Sequence, residues 1–334
     1  MMKQINQINF ELNPFDDPQN YTNGTEYLNC FYSNLFMFLG ACGGKNVDKY
    51  IANNIFYYGY VQEKLDIRYR FEVQTLSCIK NEILYRESGI EITNDCVMPQ
   101  KVMDYIYMSI ENNIPVMVNV DLYFLSYRPD RFMKVHTSHF VMVYGFNFEK
   151  KEIYIYDNPK NQKYYQCIMK QDEFIAAFQY IYEPDVSNVF QYRDVEKESR
   201  KYSIDDCAKI FLKNVKKNRR WKFECIDNID RLVEEFTVIT KSESSWNLYK
   251  ENLFYLMHYH ILNKKKSELY AFYHFFGDSV YVEYLKEIVN LWEDVRNICS
   301  YSNLHGNYKK EMVKKGIEDM KKIKKKEIEF IKQI

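Results

Sequence analysis

Three closely spaced runs constrain this chain most: Ile114–Asp121, Thr137–Gly145 and Ile153–Pro159. Each is rich in Val, Ile, Tyr and Phe and alternates at period two, the pattern of a β-strand. In the second run His139, Val141 and Val143 share a face, and in the third Ile153, Ile155 and Asp157 do. The link Phe146-Asn-Phe-Glu-Lys150 is short enough for a hairpin. A turn centred on Phe148 sets Asp157 directly across from His139, where opposed Cβ atoms lie about 4.5–5.5 Å apart. The expectation is an imidazole held by a carboxylate at the open end of a hairpin.

An imidazole oriented by a carboxylate is two members of a nucleophilic triad. Cys30 fits the third place. It follows the turn-forming stretch Asn20-Tyr-Thr-Asn-Gly-Thr25 and opens an apolar segment, Phe31 to Leu39, that Gly40 closes. At a helix start, partial positive charge from the backbone favours a thiolate. Most helix cysteines are small buried hydrophobes, and the other seven here have only that context. The order Cys, His, Asp, from a helix to neighbouring strands, is the papain-like order.

The loop Leu122–Ser138 starts beside Asp121 and returns at His139, so both its ends meet the proposed site. Asp121, Tyr127 and His136 are therefore candidates for substrate contact, and Arg128 and Arg131 suit a wall that meets an anionic donor. Asn23 is a further substrate-binding candidate, as a second oxyanion donor beside the Cys30 N–H. His136 and His139 are three residues apart, so on a strand they face opposite ways and make a poor metal clamp. With no third ligand at a recognisable spacing, no metal is expected. Gly40 to Gly44 follows no strand and precedes no Lys-Ser/Thr pair, so no phosphate loop and no cofactor are expected.

Charge is balanced, with 46 basic and 46 acidic residues, which gives no support to a nucleic-acid partner. The ten Lys against five acids in residues 309–334 read as a solvated helix face. No signal-peptide pattern opens the chain and no run of 18 apolar residues occurs, so a cytoplasmic protein with reduced thiols and no membrane partner is expected. The 334 residues read as two domains. Residues 1–195 hold the strands, with helices expected over Cys30–Leu39, Val73–Ser88, Met98–Asn112 and Asp172–Tyr180, and strands also over Gly89–Thr93 and Tyr164–Met169. Residues 196–334 lose alternation, carry a capping box at Ser203-Ile-Asp-Asp206, and read as all-helical. The aromatic stripe Trp246, Tyr249, Tyr284 and Trp292 is expected to need a partner surface.

Pro115 to Tyr127, then His136-Thr-Ser-His-Phe-Val-Met-Val-Tyr-Gly145, then Ile155-Tyr-Asp-Asn-Pro159, resemble the N-terminal domain of the butirosin biosynthesis protein H family. The likeness covers about residues 20–180. It implies an α+β, papain-like catalytic domain followed by an all-helical domain. Carried over by position, the family's nucleophile falls on Cys30, its general base on His139 and its orienting acid on Asp157. The resemblance also implies an acyltransferase of antibiotic biosynthesis. Such an enzyme takes an acyl group from an acyl carrier or peptidyl carrier protein and passes it to a small-molecule amine. The same triad would serve a cysteine peptidase or amidase, and a non-catalytic binding module could keep the fold.

Overall fold

Alternating side chains along seven segments build one antiparallel sheet in a computed structural model of the chain. The structure describes residues 2–4, 30–41, 47–64, 66–80, 82–83, 90–134, 136–157, 165–180, 188–194, 202–305 and 308–334. In chain order its elements begin with β1 (Met2–Gln4), α1 (Cys30–Ala41), α2 (Val47–Ala52), β2 (Asn54–Tyr60), β3 (Phe71–Ser77) and β4 (Ile90–Cys96). There follow α3 (Val102–Glu111), β5 (Val116–Asp121), β6 (Ser138–Asn147), β7 (Glu152–Asp157), β8 (Tyr165–Lys170), α4 (Gln171–Gln179) and β9 (Asn188–Asp194). The large sheet runs β4-β9-β5-β6-β7-β8, with β1 paired to the far half of β6, while β2 and β3 form a separate hairpin. The architecture is α+β with antiparallel sheets and a helical C-terminal region.

The chain divides into two compact units: 1–49 with 80–201, and 50–79 with 202–334. This differs from a single cut after residue 195, because the β2–β3 hairpin belongs with the helices. Residues 73–77, expected in a helix, are a strand. Phe71 and Val73 are buried while Glu72 and Gln74 are less so, and pairing with β2 outweighs local helix propensity. Strand β9, near the expected domain boundary, was not foreseen; it inserts between β4 and β5.

In the first unit, Val116, Val118 and Val120 join Val141, Val143, Ile153 and Ile155 on one face of the sheet. Val102, Met103, Ile106 and Ile110 of α3, and Phe174, Ala177 and Phe178 of α4, complete that core. The β6–β7 register steps at a bulge: Val143 faces Ile155, but Gly145 faces Tyr154, leaving Tyr144 as the extra residue. One extra residue reverses the parity of the strand. Phe146 thereby joins the Val141 face although it lies an odd number of positions away. The turn lies at 148–151, closed by Lys151 at φ 51°.

The second unit adds α5 (Ile204–Lys217), α6 (Arg219–Ile226), α7 (Asn228–Ile239), α8 (Glu243–Tyr255), a π-helical segment (Leu256–Leu262), α9 (Asn263–Phe276), α10 (Val280–His305) and α11 (Lys310–Gln333). Ser203 caps α5 in a reciprocal box with Asp206, as the sequence indicates. Trp246 and Trp292 are fully buried within this unit, so that part of the aromatic stripe fills its own core.

At the centre of this unit lies a buried ionic cage. Glu268 receives Lys222 at 2.9 Å and also pairs with Lys265, which reaches Glu327 at 2.6 Å. The Tyr58 hydroxyl donates to Glu327 at 2.6 Å and accepts from the Trp292 indole at 3.1 Å, which ties the hairpin to α10 and α11. Burial works against charge on Glu268, yet the two lysines outweigh it and hold its carboxyl below the usual range. Removing one member of such a network leaves an uncompensated buried charge, a loss of about 3–5 kcal/mol. Glu268→Gln is expected to lower the urea midpoint accordingly. Arg220→Ala, which breaks a solvent-exposed i,i+4 pair, is expected to cost no more than about 0.5 kcal/mol.

Candidate active site

The site forms where β6 and β7 part. β7 ends at Asp157, and one step beyond the last paired residues, Met142 and Tyr156, that carboxylate stands beside Val141. The expected direct opposition of Asp157 and His139 is therefore off by two residues, because the bulge at Tyr144 and the longer turn shift the register. A slip of two keeps the face. His139 still reaches diagonally along that face, and its Nε2 meets Asp157 Oδ1 at 2.7 Å.

Helix α1 packs against β6 here. The backbone N–H of Phe140 points at Cys30 Sγ, 3.5 Å away. Its carbonyl accepts from Asn34 Nδ2 at 2.8 Å, and the same amide group also donates to the Cys30 carbonyl at 2.8 Å. Phe31 packs edge-on against the Phe140 ring, with centroids 5.5 Å apart. Backbone polar groups withdrawn from water need partners, and the first turn of α1 supplies one each for the N–H and C=O of Phe140. The result seats Cys30 beside His139, close enough for the thiol to bear on the imidazole. With Nε2 turned to the carboxylate, Nδ1 is the ring nitrogen left for the thiol.

Asp157 is held from the other side as well. Its side chain is 1% exposed, and its Oδ2 accepts from the Arg128 guanidinium at 3.2 Å. Arg128 also pairs with Asp130 at 3.3 Å. Arg128 thus braces the acid of the site, in place of the donor-facing role expected for this loop residue. Tyr127 is half-buried with its hydroxyl inside, close to Asp157 and without a well-formed hydrogen bond. Burial, and then the charge of Asp157, raise that phenol's pKa well above the usual value. Its polar end is turned to the acid. Asp121 and His136 come together in a separate pair at 2.6 Å, at the same end of the sheet. Asn23 lies outside the described residues.

One contributor, Asn34, was not singled out from sequence, and another, Arg128, was given a different role. Asn34 carried a signal, since a polar residue in the apolar run Phe31–Leu39 needs a partner. Arg128 carried none, because its partner is 29 residues away and is chosen by the path of the loop. Among the described residues no group of three or more His, Cys, Asp or Glu could hold a metal ion, and no helix is long and apolar enough to cross a membrane.

Residues 56–158 match the family described as butirosin biosynthesis protein H, N-terminal. The resemblance read from the sequence is borne out over that segment. It takes in the β2–β3 hairpin, strands β4 to β7, His139 and Asp157, and begins after Cys30. No curated protein matches the chain.

Burial disfavours charge on His139. The Asp157 charge and hydrogen bond, followed by the Cys30 contact, outweigh it and raise the imidazole pKa to about 10. A pKa raised above its unfolded value adds stability that is complete below about 6.5 and lost as pH rises towards 10. The His139 ring signals in NMR are expected to titrate near 10, and Asp157→Asn to bring that midpoint down towards 6.5. An unchanged midpoint in Asp157→Asn would show that the carboxylate is not what holds the proton.

Proposed function

We propose that the chain is a cysteine-dependent acyltransferase of antibiotic biosynthesis, with a papain-like catalytic unit. The reading rests on one observation above all: a cysteine at the head of a helix touches a histidine whose far nitrogen is held by a buried carboxylate. That arrangement suits nucleophilic catalysis. Cys30 Sγ attacks an acyl thioester, the thioester C–S bond breaks, and His139 gives its proton to the departing thiol. An amine then attacks the acyl-cysteine, and its proton returns through His139 to Cys30 as the amide forms. Asp157, braced by Arg128, holds the imidazole in one orientation throughout. As the first residue described in α1, Cys30 offers its backbone N–H as a candidate oxyanion donor.

The likeness to the butirosin biosynthesis protein H family supports a biosynthetic role. It also supports a carrier-protein thioester as donor and a small amine as acceptor. The triad would serve a hydrolase equally, so water is the competing acceptor to be tested.

The test uses an acyl thioester of N-acetylcysteamine as donor and intact-mass measurement of the protein. Wild type is expected to gain the mass of one acyl group, and Cys30→Ala none. His139→Ala is expected to acylate slower by about 10²–10⁴-fold, the usual reach of general acid–base catalysis. An adduct that persists in Cys30→Ala would overturn the nucleophile assignment. Release of free acid in place of amide, with amine in excess, would turn the reading to hydrolysis.

A further inference from the structure

In the second unit Lys222, Lys265, Lys266 and Lys324 all have carboxylate partners. Arg296 of α10 has none among the described residues, and its Nε is buried without a hydrogen-bond partner. A buried donor left unanswered is costly. The carboxylate one turn back on the same helix, Glu293, is taken by Lys266 of α9 at 2.6 Å.

His258 supplies a second unanswered group within electrostatic range of the first. The segment Leu256–Leu262 is wound as a π-helix and packs on α10, and the Asn263 N–H bonds five residues back to the His258 carbonyl. Widened turns of this kind are frequent at functional sites. The His258 ring lies along Phe254, with centroids 5.5 Å apart and planes within 11°. Its Nδ1 is buried and makes no hydrogen bond. Burial, and then the charges of Arg296 and Lys266, press the imidazole pKa down to about 4. The acid that meets this segment from β3, Glu72, goes to His260 at 3.5 Å. His258 and Arg296 are both half-buried, so solvent reaches them.

We propose that Arg296 and His258 form a binding site for a phosphate group, carried on a soluble monoester or present as the free ion. The inference stands apart from the acyl-transfer reading, since every group in it belongs to the helical unit. Lys266 and Glu293 cancel each other, which leaves the single charge of Arg296. A protonated His258 adds a second, and a phosphate monoester carries a charge of about −1.5 to −2 at neutral pH. The planar guanidinium fork fits a tetrahedral oxyanion. Such an anion answers the Arg296 Nε–H and favours the protonated ring, whose Nδ1–H then donates to it. Arg296 is the fixed charge of the site and His258 the adjustable one.

The test follows the His258 ring of the full chain by NMR, titrated in sodium chloride and in sodium phosphate at equal ionic strength. In chloride the midpoint should lie near 4. Phosphate should raise it by about 1–3 pH units, the reach of an opposite charge at close range. A larger response to phenyl phosphate than to inorganic phosphate at equal concentration assigns the monoester, and the reverse assigns the free ion. In Arg296→Gln the chloride midpoint should rise towards 6.5, because a cation is gone, and phosphate should bind about 10–100-fold more weakly. Arg296→Lys keeps the charge but loses the Nε donor, so its midpoint should stay low while phosphate binding still weakens. Arg220→Ala, on the exposed face of α6, should respond as wild type. Equal midpoints in chloride and phosphate overturn the inference. So does a rise that acetate reproduces at equal concentration, or one that persists undiminished in both Arg296 variants.

Discussion

The arrangement of the candidate site depends on two backbone groups, the N–H and the C=O of Phe140. The last paired residues of β6 and β7 are Met142 and Tyr156, two positions from Phe140. Backbone polar groups withdrawn from water need partners. Helix α1 answers that demand with the Cys30 sulfur and the Asn34 amide. The same two contacts that satisfy the strand also set the thiol beside His139. The geometry at the cysteine follows from hydrogen-bond accounting at a strand end.

The charges around the site are arranged on the same economy. Asp157 is almost fully buried and would be intolerable alone. It is shared between His139 and Arg128, one on each oxygen, and Arg128 is in turn held by Asp130. This leaves the imidazole strongly biased to its protonated form. The cage of Lys222, Lys265, Glu268 and Glu327 in the helical unit solves the same problem without any exposed reactive group. Two satisfied networks, similar in composition, differ in that only the first carries a nucleophile within reach.

Much of the α+β layout was legible because period two and period 3.6 are written directly in the side chains. Strands β5, β6 and β7, helix α3 and the C-terminal helices announce themselves in this way. Residues 71–77 did not, since the strand they form depends on β2 as a partner and on burial of Phe71 and Val73. The assignment of residues 50–79 to the helical unit was equally hidden, because Tyr58 owes its place to Glu327 and Trp292, more than 200 residues away.

Within the site the same division holds. The sequence by itself brought His139 and Asp157 to the same end of adjoining strands; that they share a face rests on an odd shift at the turn and the bulge at Tyr144 cancelling in parity. It determined too that Cys30 opens a helix, through the turn residues before it and the apolar run after it. Only the tertiary structure decided the turn at 148–151 and the bulge at Tyr144, whose combined shift of two set Asp157 level with Val141 and made its contact with His139 diagonal. It alone chose Arg128 as the brace and drew His136 to Asp121. Those choices join loop residues to strand ends, where no periodicity operates and only the closing of hydrogen bonds around buried carboxylates selects the partner.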